Sequence, residues 1–243
     1  MVKSKSKFIL GKSTLLLTIF IGLLSLLNQA VYPQIIAPQL NLWQKIFKPV
    51  RDPEPPVKPR KGGSRPGQSV CLVSPDFPTQ TRIIWNTQPL FIWKNSEVTK
   101  DRRTEVKKIA IEALDNHESK NRDFKAQIVT GKQSIPYQGE ALKPGQSYKL
   151  LIFLNQESNS PTMFVPFQIM GANQRNRISR ELMLLEKLQK NQGANAETIA
   201  LAKAQYFANQ GLWSDVFQQA YSVPNPSPQL SQIIKDLPNQ LCD

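Results

Sequence analysis

The sequence predicts a mainly β fold with added α. An immunoglobulin-like β-sandwich is expected, followed by a C-terminal helical hairpin and preceded by an N-terminal signal or anchor helix. Three observations carry this. From Val70 to Met170, short apolar runs alternate with turn residues, the spacing of a sandwich. From Gly171 onward, apolar residues recur three and four apart, which is the period of a helix. At the other end, Lys3, Lys5, Lys7 and Lys12 precede LLLTIFIGLLSLL, an apolar run without a charge.

A basic stretch ahead of an apolar one has the layout of an export signal. Leu15–Leu27 has the length of a signal peptide, and Ser13–Val31 is long enough to span the ~30 Å hydrocarbon layer of a membrane. Two outcomes stay open: cleavage after Ala30 in Asn28-Gln29-Ala30, or retention as an anchor. Both leave the lysines on the cytoplasmic side and carry the rest across. Residues 1–34 are therefore read as signal peptide or membrane anchor, and the protein as extracytoplasmic, in the periplasm or cell envelope. Residues 35–69 are read as an amphipathic segment and a basic linker. Leu40, Trp43, Ile46 and Phe47 recur at helical spacing between Pro38 and Pro49. They predict a short amphipathic helix, with Trp43 suited to a membrane interface. RDPEPPVKPRKGGSRPGQ, over residues 51–68, is too rich in proline, glycine and charge to fold, and reads as an extended tether.

The net charge of +13 suggests a nucleic-acid partner, but its distribution does not. Residues 1–69 hold 11 Lys/Arg and 2 Asp/Glu; the rest hold 20 and 16. The excess thus sits in the targeting segment and linker, and no nucleic-acid partner is expected. Cys71 and Cys242, at the two ends of the exported part, permit a disulfide outside the cytoplasm. Two free thiols are the alternative.

Residues 70–171 are assigned to the sandwich. Strands are expected at 70–74, 81–85, 89–94, 105–113, 125–130, 147–155 and 162–170. PLFIW, residues 89–93, reads as a central strand with a core tryptophan. In LKPGQSYKLLIFLN, Leu142, Pro144, Gly145 and Tyr148 form a turn that enters a strand. This is the spacing of a tyrosine corner, in which the phenol bonds back to the upstream backbone.

Residues 172–243 are assigned to a helical, half-repeat-like domain. A first helix, 176–191, presents Ile178, Leu182, Leu185 and Leu188 on one face. A second, 195–210, has Asn195 as N-cap and Glu197 in its first turn, lined by Ile199, Ala202, Tyr206 and Phe207. A third, 213–222, buries Val216, Phe217 and Ala220, and a last runs about 228–236. ALAKAQYFANQGLWSDVFQQAYSV resembles the helix-turn-helix of a tetratricopeptide repeat, with Ala202 and Ala220 where the helices cross. One copy does not make a solenoid, so a single hairpin is expected. The export signal, the basic Pro-rich tether, PLFIW, LKPGQSY and YFANQGLWSDVFQQA together resemble a group of cyanobacterial secreted or envelope proteins of a domain-of-unknown-function family. The resemblance spans about 70–243. It implies an extracytoplasmic place and a sandwich followed by helices, and brings no catalytic residue.

No catalytic, cofactor or metal site emerges from the residue pattern, and no cofactor is expected. His117, the one histidine, lies in the polar stretch DNHESKNRD. Asp115, Glu118 and Ser119 are its neighbours, but nothing holds them as a triad requires. Gly62-Gly63 is too short to cradle a phosphate, and GxSxG and HExxH do not occur. Glu97, Asp101 and Glu105 sit among basic residues and read as a solvated loop. So do Lys100, Arg102, Arg103, Lys107 and Lys108, which acids interrupt. Trp85, Trp93 and Trp213 would form a sugar-stacking face if exposed, though core packing is the default for strand tryptophans. Tyr137, beside Pro136, is one ring and no platform. The expectation is a non-enzymatic cell-envelope protein that binds another envelope protein, with contact to the membrane through residues 1–34 if these are retained. The alternative is a module that binds carbohydrate or wall polymer.

Overall fold

The computed structural model describes residues 40–47, 70–76, 82–99, 102–114 and 126–242. The signal or anchor, the Pro-rich stretch at 48–69, Lys100, Asp101 and His117 lie outside them. Among the described residues the fold is mixed α/β, with two sheets, a small ribbon and five helices. It is less dominated by strands than the sequence suggests, because two helices run longer than their periodicity marks. All described residues fall in one unit, residues 39–243.

In chain order the elements are α1 (Leu40–Phe47), β1 (Cys71–Ser74), β2 (Ile83–Ile84), β3 (Leu90–Lys94), β4 (Ser96–Thr99) and β5 (Arg102–Thr104). Next come β6 (Lys108–Ala113), β7 (Gln127–Ile128), β8 (Ser134–Pro136), β9 (Ser147–Phe153) and β10 (Met163–Ile169). The helices α2 (Ala172–Asn191), α3 (Ala196–Asn209), α4 (Trp213–Tyr221) and α5 (Pro228–Cys242) close the chain. One sheet has the order β1-β3-β8, the other β2-β10-β9-β6-β7, and β4-β5 is a separate ribbon. All pairings are antiparallel except that of β2 with β10. Seven strands lie where the apolar runs fall. β4, β5 and β8 carry no such run, and only their pairing reveals them.

Side chains alternate across a strand, and the two sheets use this differently. Leu72, Phe91, Trp93 and Ile135 of the three-stranded sheet meet Ile109, Leu150, Ile152, Val165 and Phe167 of the other in one apolar cluster. The opposite side chains of the small sheet, Val73, Leu90 and Ile92, meet Phe217 of α4 and Leu237 of α5. β3 is therefore covered on both faces, which is why LFIW has no polar residue. A fully buried side chain of this size contributes roughly 1.5–3 kcal/mol over leaving it in water. β10 faces the core on one side only and alternates accordingly.

α3 is the central helix, in contact with α1, α2 and α4. Its buried residues are Ala200, Leu201, Ala204 and Phe207. Ala202, expected at the crossing, is only half-buried, and Ala204 lies inside instead. ALAKAQYFA is apolar on several sides, so its periodicity does not choose between neighbouring registers. Asn195 caps α3 as expected, its Oδ1 accepting from Thr198 N at 2.8 Å. On α2, Ile178 and Leu182 are buried, but Leu188 is 62% exposed.

The largest departure is α1. Trp43 is 2% exposed, not placed for a membrane surface. It lies with Ile46 in a cluster that includes Ile178, Leu201, Ala204 and Leu230. Phe47 stacks on Phe217, ring centroids 6.0 Å apart. The amphipathic helix expected from Leu40, Trp43, Ile46 and Phe47 is thus present, but it belongs to the folded body.

Candidate functional site

Where β2 ends, the sheets are fastened to the helices by backbone as much as by side chains. Trp85 N and Asn86 N donate to Asp215 Oδ2 and Oδ1 at 2.8 and 3.0 Å. Asp215 lies in the first turn of α4, where helix N–H groups favour negative charge. It is 1% exposed. Loss of water outweighs the two N–H donors and the nearby Arg175 charge, and its carboxyl is pushed up to about 7. Arg175, in the first turn of α2, completes the join. Its Nε donates to Trp85 O at 3.0 Å, and its own carbonyl accepts from Trp85 Nε1 at 3.2 Å. The guanidinium lies 5.3 Å from the indole centroid, within cation–π range. The other contact of the indole is Phe207 of α3, at 5.4 Å.

Beside this join lies a groove of about 570 Å³, bordered by Trp85, Leu182, Met183, Glu186, Lys187 and Lys203. Met183 on its rim is 63% exposed. Glu186 receives Lys190 Nζ at 2.5 Å and Lys203 Nζ at 2.6 Å. Hydrogen bonds from Lys190 and then Lys203 bring its carboxyl down to about 2. A carboxylate is already the ligand of two groove lysines, and Lys187 lies beside them. With an apolar floor and a cationic rim, the groove suits an acidic, partly apolar chain. Leu184 and Leu188 extend the exposed apolar surface of α2.

Trp85 and Leu182 border the groove; the other residues singled out from the sequence fall elsewhere. Cys71 and Cys242 form a disulfide, which ties the end of α5 to the first strand. Tyr148, buried at the start of β9, accepts a hydrogen bond from Lys143 N at 2.9 Å and donates to Gln146 Oε1 at 3.0 Å. Pro144 and Gly145 make the turn between them. Gln146 N returns to Lys143 O, and Gly145 has φ 81°, which the third position of a type II turn requires. Leu142 is buried in the sheet core.

The tryptophans make no exposed strip. Trp93 is in the core, Trp213 packs near Phe217, and Trp85 is engaged as above. Tyr137 packs against the sheet core. Glu105 accepts from Lys107 and from Gly131 N, which together hold its carboxyl below the usual range. Lys108 donates to the carbonyls of Gln156 and Ser158, both at 2.8 Å. Lys107 and Lys108 of that cationic cluster are thus bound within the fold. Among the described residues, no group of three or more His, Cys, Asp or Glu side chains is placed to hold a metal ion, and no helix is long and apolar enough to cross a membrane. Sequence reasoning missed Arg175, Glu186, Lys203 and Asp215. The one signal was local: Asp215 stands where a helix start favours an acid. No family model, curated protein or solved structure matches the chain.

Proposed function

We propose that the protein is a non-enzymatic interaction module of the cell envelope, and that its partner docks an acidic, partly apolar segment in the groove beside Trp85. The observation that carries this is the rim of the groove beside Leu182 and Met183, where Lys187, Lys190 and Lys203 outnumber the one acid, Glu186. An extracytoplasmic place is supported by the lysine-led apolar run at 13–31 and by the Cys71–Cys242 bond. The immunoglobulin-like reading of the sheets is supported by the shared core, by the parallel pairing of a short early strand with the last one, and by the tyrosine bond at the start of β9. It is also the architecture expected from the resemblance to cyanobacterial envelope proteins. Engagement of Trp85, Trp93 and Trp213 within the fold takes support from the carbohydrate-binding alternative.

The test is a photo-crosslinking residue placed at Met183 in the native envelope. One crosslinked protein is expected, joined through an acidic stretch and lost in Lys187→Glu. Capture should also weaken with salt, because exposed charges are screened beyond about 10 Å at 0.1 M. Crosslinks that Lys187→Glu leaves unchanged would refute the reading.

A further inference from the structure

We propose that the exposed face of α2 lies on the surface of an anionic lipid bilayer. This face stands beside the groove at Trp85 but is not part of its floor, and its ligand is lipid rather than protein. Either reading can therefore fail alone.

Three observations lead there. First, the large apolar side chains left exposed among the described residues are Leu42, Leu114, Ile128, Phe164, Met183, Leu184 and Leu188. The first four are scattered over the fold. The last three stand on one helix, and each is more than half exposed. At the helical period, Arg180, Leu184 and Leu188 form one row, with Met183 and Lys187 in the row beside it. The buried Ile178 and Leu182 lie on the other side of the helix. Apolar side chains turned away from the core, with cations between them, are the pattern of a helix lying in a membrane interface. Second, the acids that flank this face are engaged. Glu186 receives Lys190 and Lys203; Glu181 accepts from the Tyr206 hydroxyl and lies 3.9 Å from Arg177 Nε. Arg180 and Lys187 are exposed, with no acid partner among the described residues. Anionic headgroups supply that counter-charge, while the acyl region takes the apolar tips and the methylenes of the cations lie along them. Third, the chain arrives there. Ser13–Val31 is long enough to span a bilayer. Leu40, the first residue of α1, is nine positions after Val31, a reach of up to about 30 Å. α1 packs in one cluster with Ile178 and Leu182 of α2. An anchor retained at 13–31 would hold the face within reach of lipid, and two weak attachments then add to a stable one.

The test reconstitutes the full chain in vesicles whose acyl chains carry bromine, a fluorescence quencher. An environment-sensitive fluorescent residue replaces Leu188 or, in a second sample, the exposed Phe164 of β10. In phosphatidylcholine mixed with phosphatidylglycerol, emission from position 188 should shift to the blue and be quenched. Emission from position 164 should stay as in water. In phosphatidylcholine alone, the quenching at 188 should largely disappear. Arg180→Gln with Lys187→Gln should lower the ratio of quenched to unquenched emission by on the order of twentyfold, about fivefold for each cation. Leu184→Gln should lower it too, yet leave the Met183 crosslink in place, since Leu184 does not border the groove. Emission from 188 that stays as in water would overturn the proposal. So would equal quenching at 164, or equal quenching in phosphatidylcholine alone. A blue shift at 188 that bromine leaves unquenched would overturn it as well, because a second copy of the chain would then cover the face.

Discussion

Asp215→Asn should remove a pH dependence of stability that the wild type shows between about pH 4 and pH 7. The carboxyl moves from its ordinary 3.8 in the unfolded chain to about 7 when folded. Within that window the folded protein holds a proton that the unfolded chain has released. Stability is then fully present below about pH 4 and declines as pH rises to about 7, where the folded form also ionises. The displacement of roughly three pH units corresponds to at most about 4 kcal/mol, at about 1.4 kcal/mol each. Protonated Asp215 still accepts from both Trp85 N and Asn86 N, since its hydroxyl oxygen keeps a lone pair, whereas the asparagine amide turns a donor toward one of them. The variant should therefore lie about 1–3 kcal/mol below the wild type near pH 4 and gain on it as pH rises to 7. Urea unfolding at half-unit pH steps measures this. Glu186, held at about 2, acts in the opposite sense: its contribution is present above the ordinary glutamate value of 4.5 and is lost as pH falls through about 2. That window lies below most of the Asp215 window, so the two limbs separate. If the difference between Asp215→Asn and the wild type did not change between pH 4 and pH 7, burial would not outweigh the two N–H donors, and the reasoning would fail.

Other consequences follow from the same contacts. Replacing Cys71 and Cys242 together by serine should lower stability. The loop they close has a sequence separation of 171, and loop entropy puts the effect at up to about 5 kcal/mol; denaturation with and without reductant checks it, and an unchanged midpoint would count against the tie. Tyr148→Phe should cost about 1–2 kcal/mol, because Lys143 N loses its acceptor in a partly buried site, read as a shift in urea midpoint at constant slope. Ile92→Ala should cost about 2–5 kcal/mol, as for other large-to-small changes in a core; a loss under 1 kcal/mol would contradict the burial of both faces of β3.

Local chemistry made much of the framework legible. Alternation marked β10 and the uniform run LFIW marked β3. Pro144-Gly145 ahead of Tyr148 marked a turn whose hydrogen bonds close within five residues. Asn195 could be recognised as a cap because its partner is three residues away. The paired cysteines were legible only as a permitted bond, since a match of residue types says nothing of the distance between them.

What the chain does with its faces depended on long-range packing. Glu186 is one acid among many on α2 until Lys203, from another helix, arrives beside it. Trp85 reads as a strand tryptophan, yet its backbone is claimed by a carboxylate 130 residues later. Trp43 has the pattern of an interfacial residue, and amphipathicity alone cannot say whether lipid or protein covers the apolar side. The apolar face of a short helix states a need for cover; which surface supplies it is settled by the other helices, when α3 and α5 leave a cleft of the right width.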